Sequence, residues 1–226
     1  KAALFDKREF VEIGVFQTIN ELVSFVNERS PSNCIVSSVL ADHETNMLLS
    51  QLEQTSFLLA ANSKLPFNTN YQTLNSLGKD RIANAAFVSS KKNLRNTLVI
   101  DAGTCLKFDL VTEHNDYLGG SIGPGLEMRF TALNNYTGKL PLVRFEKEYE
   151  SLVGNSTQNS ILSGVKIGMQ EEINGLIARY ERDFSDLTIF ITGGDLDKFE
   201  LKSKNTIFAD RLITLKGLNE ILIHNL

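Results

Sequence analysis

Four short segments of this chain gather carboxylates, hydroxyls, cationic side chains and glycines at spacings that suit an anionic ligand. Asp101-Ala102-Gly103-Thr104 follows the apolar run Leu98-Val99-Ile100 and precedes Cys105-Leu106-Lys107-Phe108-Asp109, so the pattern reads strand, tight turn, strand. Asp101 then falls at the end of a buried strand, where a charge is costly unless it meets a cation or hydrogen-bond donors. Gly103 lets a backbone come close, and Thr104 offers a hydroxyl and an N–H to an anion such as phosphate. An ordinary turn with a hydrogen-bonded Asp fits the same four residues.

Gly78-Lys79-Asp80-Arg81 opens a predicted helix, whose first N–H groups and dipole favour an anion. Asp80 has two readings. It is a helix-capping carboxylate, or it is a general base with Lys79 and Arg81 as cationic contacts to an acidic substrate. Gly119-Gly120-Ser121-Ile122-Gly123-Pro124-Gly125 places four glycines among seven residues at a strand-to-helix junction. It lacks both the GK[ST] ending of a Walker loop and the GxGxxG spacing of a dinucleotide fold. Thr192-Gly193-Gly194-Asp195 ends a buried strand and opens a predicted helix, at the edge where open α/β sheets bind ligands. His43, His114 and His224 are scattered without an HExxH pattern, and no GxSxG elbow points to a hydrolase.

The elements that must hold these segments alternate between strand and helix, which predicts an α/β fold. Strands are expected over residues 2–5, 11–16, 34–40 and 56–61, with helices over 19–29 and 43–54 and a polar loop over 62–76 before the helix at 78–90. The second half repeats the theme, with strands at 98–100 and 105–111, a third starting at 116–118, and a helix at 126–135. A long helix over 158–184 carries the apolar stripe Ile161, Leu162, Val165, Met169, Ile173, Leu176, Ile177 and Tyr180, with Gly164 and Gly168 on one face as a close-packing signal. Strands at 187–191 and 206–209 and a helix at 215–225 close the chain.

The 226 residues suffice for one large core or two modest ones. Apolar content of 42% and charged content of 22% are those of a soluble globular protein. With 23 basic against 27 acidic residues the net charge is −4, which argues against nucleic acid as a partner. No apolar run reaches the roughly 20 residues of a membrane span, and residues 1–6 do not form a secretory signal, so no membrane association and a cytoplasmic location are expected. Cys34 and Cys105 have no metal-type spacing and read as reduced core residues. The chain opens on Lys1 rather than Met, so a start upstream is expected.

Taken in order, Tyr71, GKDR at 78–81, DAGT at 101–104, GGSIGPG at 119–125, Asn155-Ser156-Thr157 and ITGGD at 191–195 resemble the type III pantothenate kinases, of the acetate kinase, sugar kinase, Hsp70 and actin superfamily. The resemblance implies two ribonuclease-H-like α/β domains, placed here at residues 1–95 and 96–226, and ATP-dependent phosphorylation of pantothenate as the first step toward coenzyme A. It implies a homodimer, Mg2+ with the ATP, and a monovalent cation, K+ or NH4+. By the same resemblance Asp80 is the proton acceptor. Tyr71, Gly78, Lys79, Asp80, Arg81 and Thr157 contact pantothenate, Thr104 contacts ATP, and Asp101 is the monovalent-cation ligand. The family usually carries Asn-Thr where this chain has Ser156-Thr157. The family also opens on a DxGNT-type phosphate turn followed by a strand lysine. Lys1 matches that lysine, which places the turn and a strand of about 5–6 residues upstream; a chain beginning at Lys1 is expected to bind ATP poorly. The alternatives are a non-catalytic transcriptional accessory protein of the same fold and a kinase for another small hydroxylated substrate.

Overall fold

The computed structural model describes residues 1–60, 62–92 and 95–226. They fall into two compact units: Lys1–Lys92 with Asn115–Tyr117 and Leu212–Leu226, and Asn93–His114 with Leu118–Arg211.

The first unit opens on an antiparallel hairpin of β1 (Ala2–Asp6) and β2 (Glu9–Gly14). Helix α1 (Ile19–Arg29) starts at a reciprocal cap, in which Thr18 accepts from the Glu21 N–H while the Glu21 carboxylate accepts from the Thr18 N–H. A parallel pair follows, β3 (Asn33–Val36) and β4 (Thr55–Leu58), connected through α2 (Asp42–Gln51). The expected strand over 34–40 stops at Val36 because the Ser38 hydroxyl accepts the Leu40 N–H and bonds Thr45, turning the chain. Residue 61, the last of the expected strand 56–61, lies outside the described residues. Within the expected loop over 62–76 the structure forms a short strand, β5 (Asn68–Thr69). Helix α3 (Lys79–Ser89) is buried without a break from Arg81 to Val88, the polar Arg81 and Asn84 included.

The second unit is a mixed sheet. Strand β6 (Thr97–Ala102) pairs antiparallel with β7 (Cys105–Val111). Beyond β7 lies β8 (Asp116–Pro124), whose first residues, Asp116 and Tyr117, pair with Asn68 and Thr69 in the first unit. Helices α4 (Leu126–Asn135), α5 (Thr157–Leu162) and α6 (Gly168–Asp183) precede β9 (Thr188–Thr192), which runs parallel to β6 and to the edge strand β10 (Ile207–Ala209). Alternation along β6 and β7 sends Leu98, Ile100, Ala102, Leu106, Phe108 and Leu110 to one face, where they meet Met169, Ile173 and Ile177 in one continuous core. Asp101 and Lys107 belong to the opposite face.

Four expectations need correction. The helix expected over 158–184 is interrupted by a π-turn at Ser163–Ile167, where Lys166 donates to the carbonyls of Lys147 and Tyr149 and Ser163 donates to the carbonyl of Leu152. Gly164 and Gly168 mediate no close packing: a Cβ at either would meet open space. TGGD leads into a 3-10 turn, Leu196–Lys198, rather than a helix, whereas the glycine-rich segment runs as strand up to Pro124 and meets α4 at Leu126, the strand-to-helix junction expected. Finally, the closing helix α7 (Ile213–Asn225) packs in the first unit, against the expected 96–226 domain. Its Gly217 lies so near α3 that a Cβ would stand 1.7 Å from the Ala83 carbonyl oxygen, and Thr214 donates to Asn84 at 2.9 Å.

Candidate active site

In the first unit the chemistry gathers at the start of α3. Gly78 occupies the N-cap position and supplies no side-chain cap. Asp80, inside the first turn, accepts the Arg81 N–H on Oδ1 at 2.9 Å, so it satisfies one of the donors that a helix start leaves unpaired. That bond holds the half-buried carboxylate in a fixed orientation. Arg81 is only 3% exposed, and its guanidinium reaches the Tyr71 hydroxyl at 3.5 Å and lies 5.8 Å from the Tyr71 ring centre. Tyr71 is itself placed by the β5–β8 pairing. The Thr69 hydroxyl accepts the Tyr71 N–H at 3.1 Å and donates to the Tyr117 carbonyl at 3.2 Å. The structure thus brings Tyr71, Gly78, Asp80 and Arg81 together. Lys79 points elsewhere, its ammonium donating to the Ser38 carbonyl at 2.9 Å.

In the second unit the turn at 101–104 sits where the parallel strands β6 and β9 both end, the edge at which such sheets bind ligands. Two other segments press their backbones onto it. The Gly125 N–H donates to the Thr104 carbonyl at 3.1 Å, and the Asp195 N–H donates to the Ala102 carbonyl at 2.8 Å. Neither approach tolerates a side chain: a Cβ on Gly125 would stand 2.1 Å from the Gly103 carbonyl oxygen, and one on Gly193, at φ +100°, would stand 2.2 Å from that of Ala102. These glycines therefore serve contact between backbones. Thr104 is exposed at the tip, and α4 begins directly after Gly125, so its N-terminal end adjoins the turn. Together these parts make a turn suited to phosphate.

Asp101 meets the cation that its burial requires. Strand register places Lys107 directly across from it, and Nζ lies 2.7 Å from Oδ2 with each side chain 11% exposed. Sequence reasoning missed Lys107, although a turn centred on Thr104 would have put it opposite Asp101. Among the described residues no group of three or more His, Cys, Asp or Glu is placed to hold a metal ion. Thr157 is the exposed first residue of α5, while its neighbour Ser156 caps that helix by accepting the Asn159 N–H. Cys34 and Cys105 are free and half-buried, and burial pushes the Cys34 thiol up.

The two candidate sites are thus a backbone-packed turn at the edge of a mixed α/β sheet and a helix start whose carboxylate is held by the Arg81 N–H. Comparison with known proteins gives the class. Residues 7–179 match the family model of the type III pantothenate kinases, and the chain belongs to that family. It is 41% identical to the type III pantothenate kinase of Christiangramia forsetii, over 100% of this chain and 94% of the relative. The Bacteroides fragilis enzyme of the same name is 38% identical, over 100% and 93%. Among solved structures, a Campylobacter jejuni protein described as a Baf family transcriptional activator superposes with a TM-score of 0.60 at 22% identity, covering 92% of this chain and 88% of that one. That likeness shows the fold. Among the described residues no helix is long and apolar enough to cross a membrane.

Proposed function

We propose that this protein transfers the γ-phosphoryl group of ATP to pantothenate, the first step of coenzyme A biosynthesis. The observation that carries the reading is the cluster at the start of α3, where Asp80 is oriented by the Arg81 N–H and the buried Arg81 guanidinium reaches the Tyr71 hydroxyl, in a chain matching named type III pantothenate kinases along its whole length. Phosphoryl transfer rests chiefly on positioning and charge stabilisation. Asp80, as a carboxylate, accepts the proton of the attacking hydroxyl. Arg81 is too buried to project into solvent, so its charge acts from beneath the site and favours the anionic pantothenate. Tyr71 and Gly78 shape that subsite, Thr157 is a pantothenate contact by the family resemblance alone, and Lys79, bound to Ser38, serves to anchor the loop before α2.

The turn at 101–104 faces the nucleotide, with Thr104 offering its hydroxyl and N–H to the phosphates. Magnesium arriving with ATP would supply charge neutralisation at the phosphates. The finer architecture, two ribonuclease-H-like domains, is part of the same reading. Both units run antiparallel strands, then helix, then parallel strands. The family resemblance also makes the protein a homodimer, which light scattering checks.

The test is nucleotide turnover by the full-length protein with pantothenate, glucose or acetate as acceptor, with pantothenate alone expected to release ADP. Asp80→Asn keeps an oxygen for the Arg81 N–H, so the fold should survive while kcat falls by about a hundredfold or more and ATP affinity stays the same. An unchanged kcat removes Asp80 from the base role.

A further inference from the structure

The resemblance assigns Asp101 to a monovalent cation, but the residues of this chain do not leave it for one. Its Oδ2 is held by the Lys107 ammonium at 2.7 Å, in a pair nearly closed to solvent. The pairing is built into the sheet, since Asp101 and Lys107 are cross-strand partners in the antiparallel β6–β7 register. Asp109, fully buried, lies two residues along β7 on the same face. A potassium ion brought against Asp101 would stand beside a fixed ammonium and be repelled by it.

We infer that Lys107 is a covalently tethered replacement for the monovalent cation, so that nucleotide binding and turnover in this protein need no added K+ or NH4+. This rests on the kinase reading above and deepens it. A bare carboxylate at the end of β6 would repel nucleotide phosphates, and a cation paired with it removes that repulsion. An alkylammonium does so as well as the free ammonium ion that the resemblance offers as an alternative to potassium. Being part of the chain, Lys107 is present at full occupancy in any salt.

The experiment measures two quantities on the full-length protein in choline, sodium, potassium and ammonium chloride: Mg-ATP affinity without acceptor, and the initial rate with pantothenate. Both are expected to agree within about twofold across the four salts once ionic strength is matched. Lys107→Ala should lose about tenfold or more in ATP affinity in choline, because it strands a buried carboxylate, and recover in ammonium or potassium. Crystals grown with thallium, a potassium stand-in, should show no anomalous peak in contact with the Asp101 carboxylate of the unaltered protein. Activation by potassium of about tenfold over choline, or a thallium peak on Asp101, overturns the inference whether or not the variant folds. If ATP binds equally in all salts yet pantothenate is not phosphorylated, the tethered cation stands and the acceptor assignment falls. Potassium-activated phosphorylation of pantothenate does the reverse.

Discussion

The two functional clusters are built by opposite means. At the start of α3 the chemistry is local: Gly78, Asp80 and Arg81 are consecutive or nearly so, and the bond that orients the carboxylate joins neighbours in sequence. At the turn after β6 the chemistry is assembled from afar, because Asp101 depends on Lys107 across a hairpin while Gly125 and Asp195 clamp the turn through backbone bonds. A helix N-terminus can present a carboxylate with little outside help. A turn that is to cradle phosphate must be held still by other segments, and here the holders are glycines that permit contact between backbones.

Substitutions at the clamps should therefore cost more than substitutions in the helix start. Gly193→Ala combines a positive φ with a Cβ 2.2 Å from the Ala102 carbonyl oxygen. It should destabilise the protein by about 3 kcal/mol, read as a lowered denaturant midpoint, with ATP affinity lost in the fraction that remains folded. A Gly193→Ala protein as stable as the parent would show that the clamp is slack and would erase the contrast.

Within the α3 cluster, Arg81 and Lys79 separate a charge used by the site from one used by the fold. Arg81→Met removes the guanidinium beside Tyr71 while filling its space. The expected result is a pantothenate KM raised about tenfold, or about 1.4 kcal/mol, with kcat less affected. Lys79→Ala gives up only the bond to the Ser38 carbonyl, costing about 1 kcal/mol of stability and leaving KM unchanged. If instead Lys79→Ala raises KM and Arg81→Met does not, the roles of the two cations are exchanged.

The same division between local and distant explains what the sequence made legible. The strand–turn–strand around DAGT and the helix after GKDR follow from hydrophobic period and turn residues close in sequence, and both stand where they were expected. The Asp101–Lys107 pair needed the hairpin register, which a one-residue slip would have abolished. Nothing near Leu215 says that α7 belongs with the first unit, because its partners, Ala83 and Asn84, lie far up the chain. Glycine density at 119–125 signalled close approach correctly, yet composition does not distinguish a ligand from a neighbouring backbone, and at Gly125 the neighbour is the DAGT turn itself. The π-turn was invisible because the apolar stripe runs through it, while the bonds found beside it, from Lys166 and Ser163 to carbonyls of the preceding loop, join residues more than ten positions apart.

The smallest predicted effect has the opposite sign and follows from the glycines that clamp nothing. Gly168 begins α6 with helical backbone angles, and a Cβ there meets no atom within 4 Å. Gly168→Ala removes conformational freedom from the unfolded chain and adds no clash, so it should raise stability by about 0.5–1 kcal/mol, seen as a modest increase in the denaturant midpoint with unchanged turnover. Close helix packing at this position would make the same substitution destabilising. The sign of this one measurement therefore decides whether Gly168, like Gly125 and Gly193, is held against another backbone or faces open space as the structure places it.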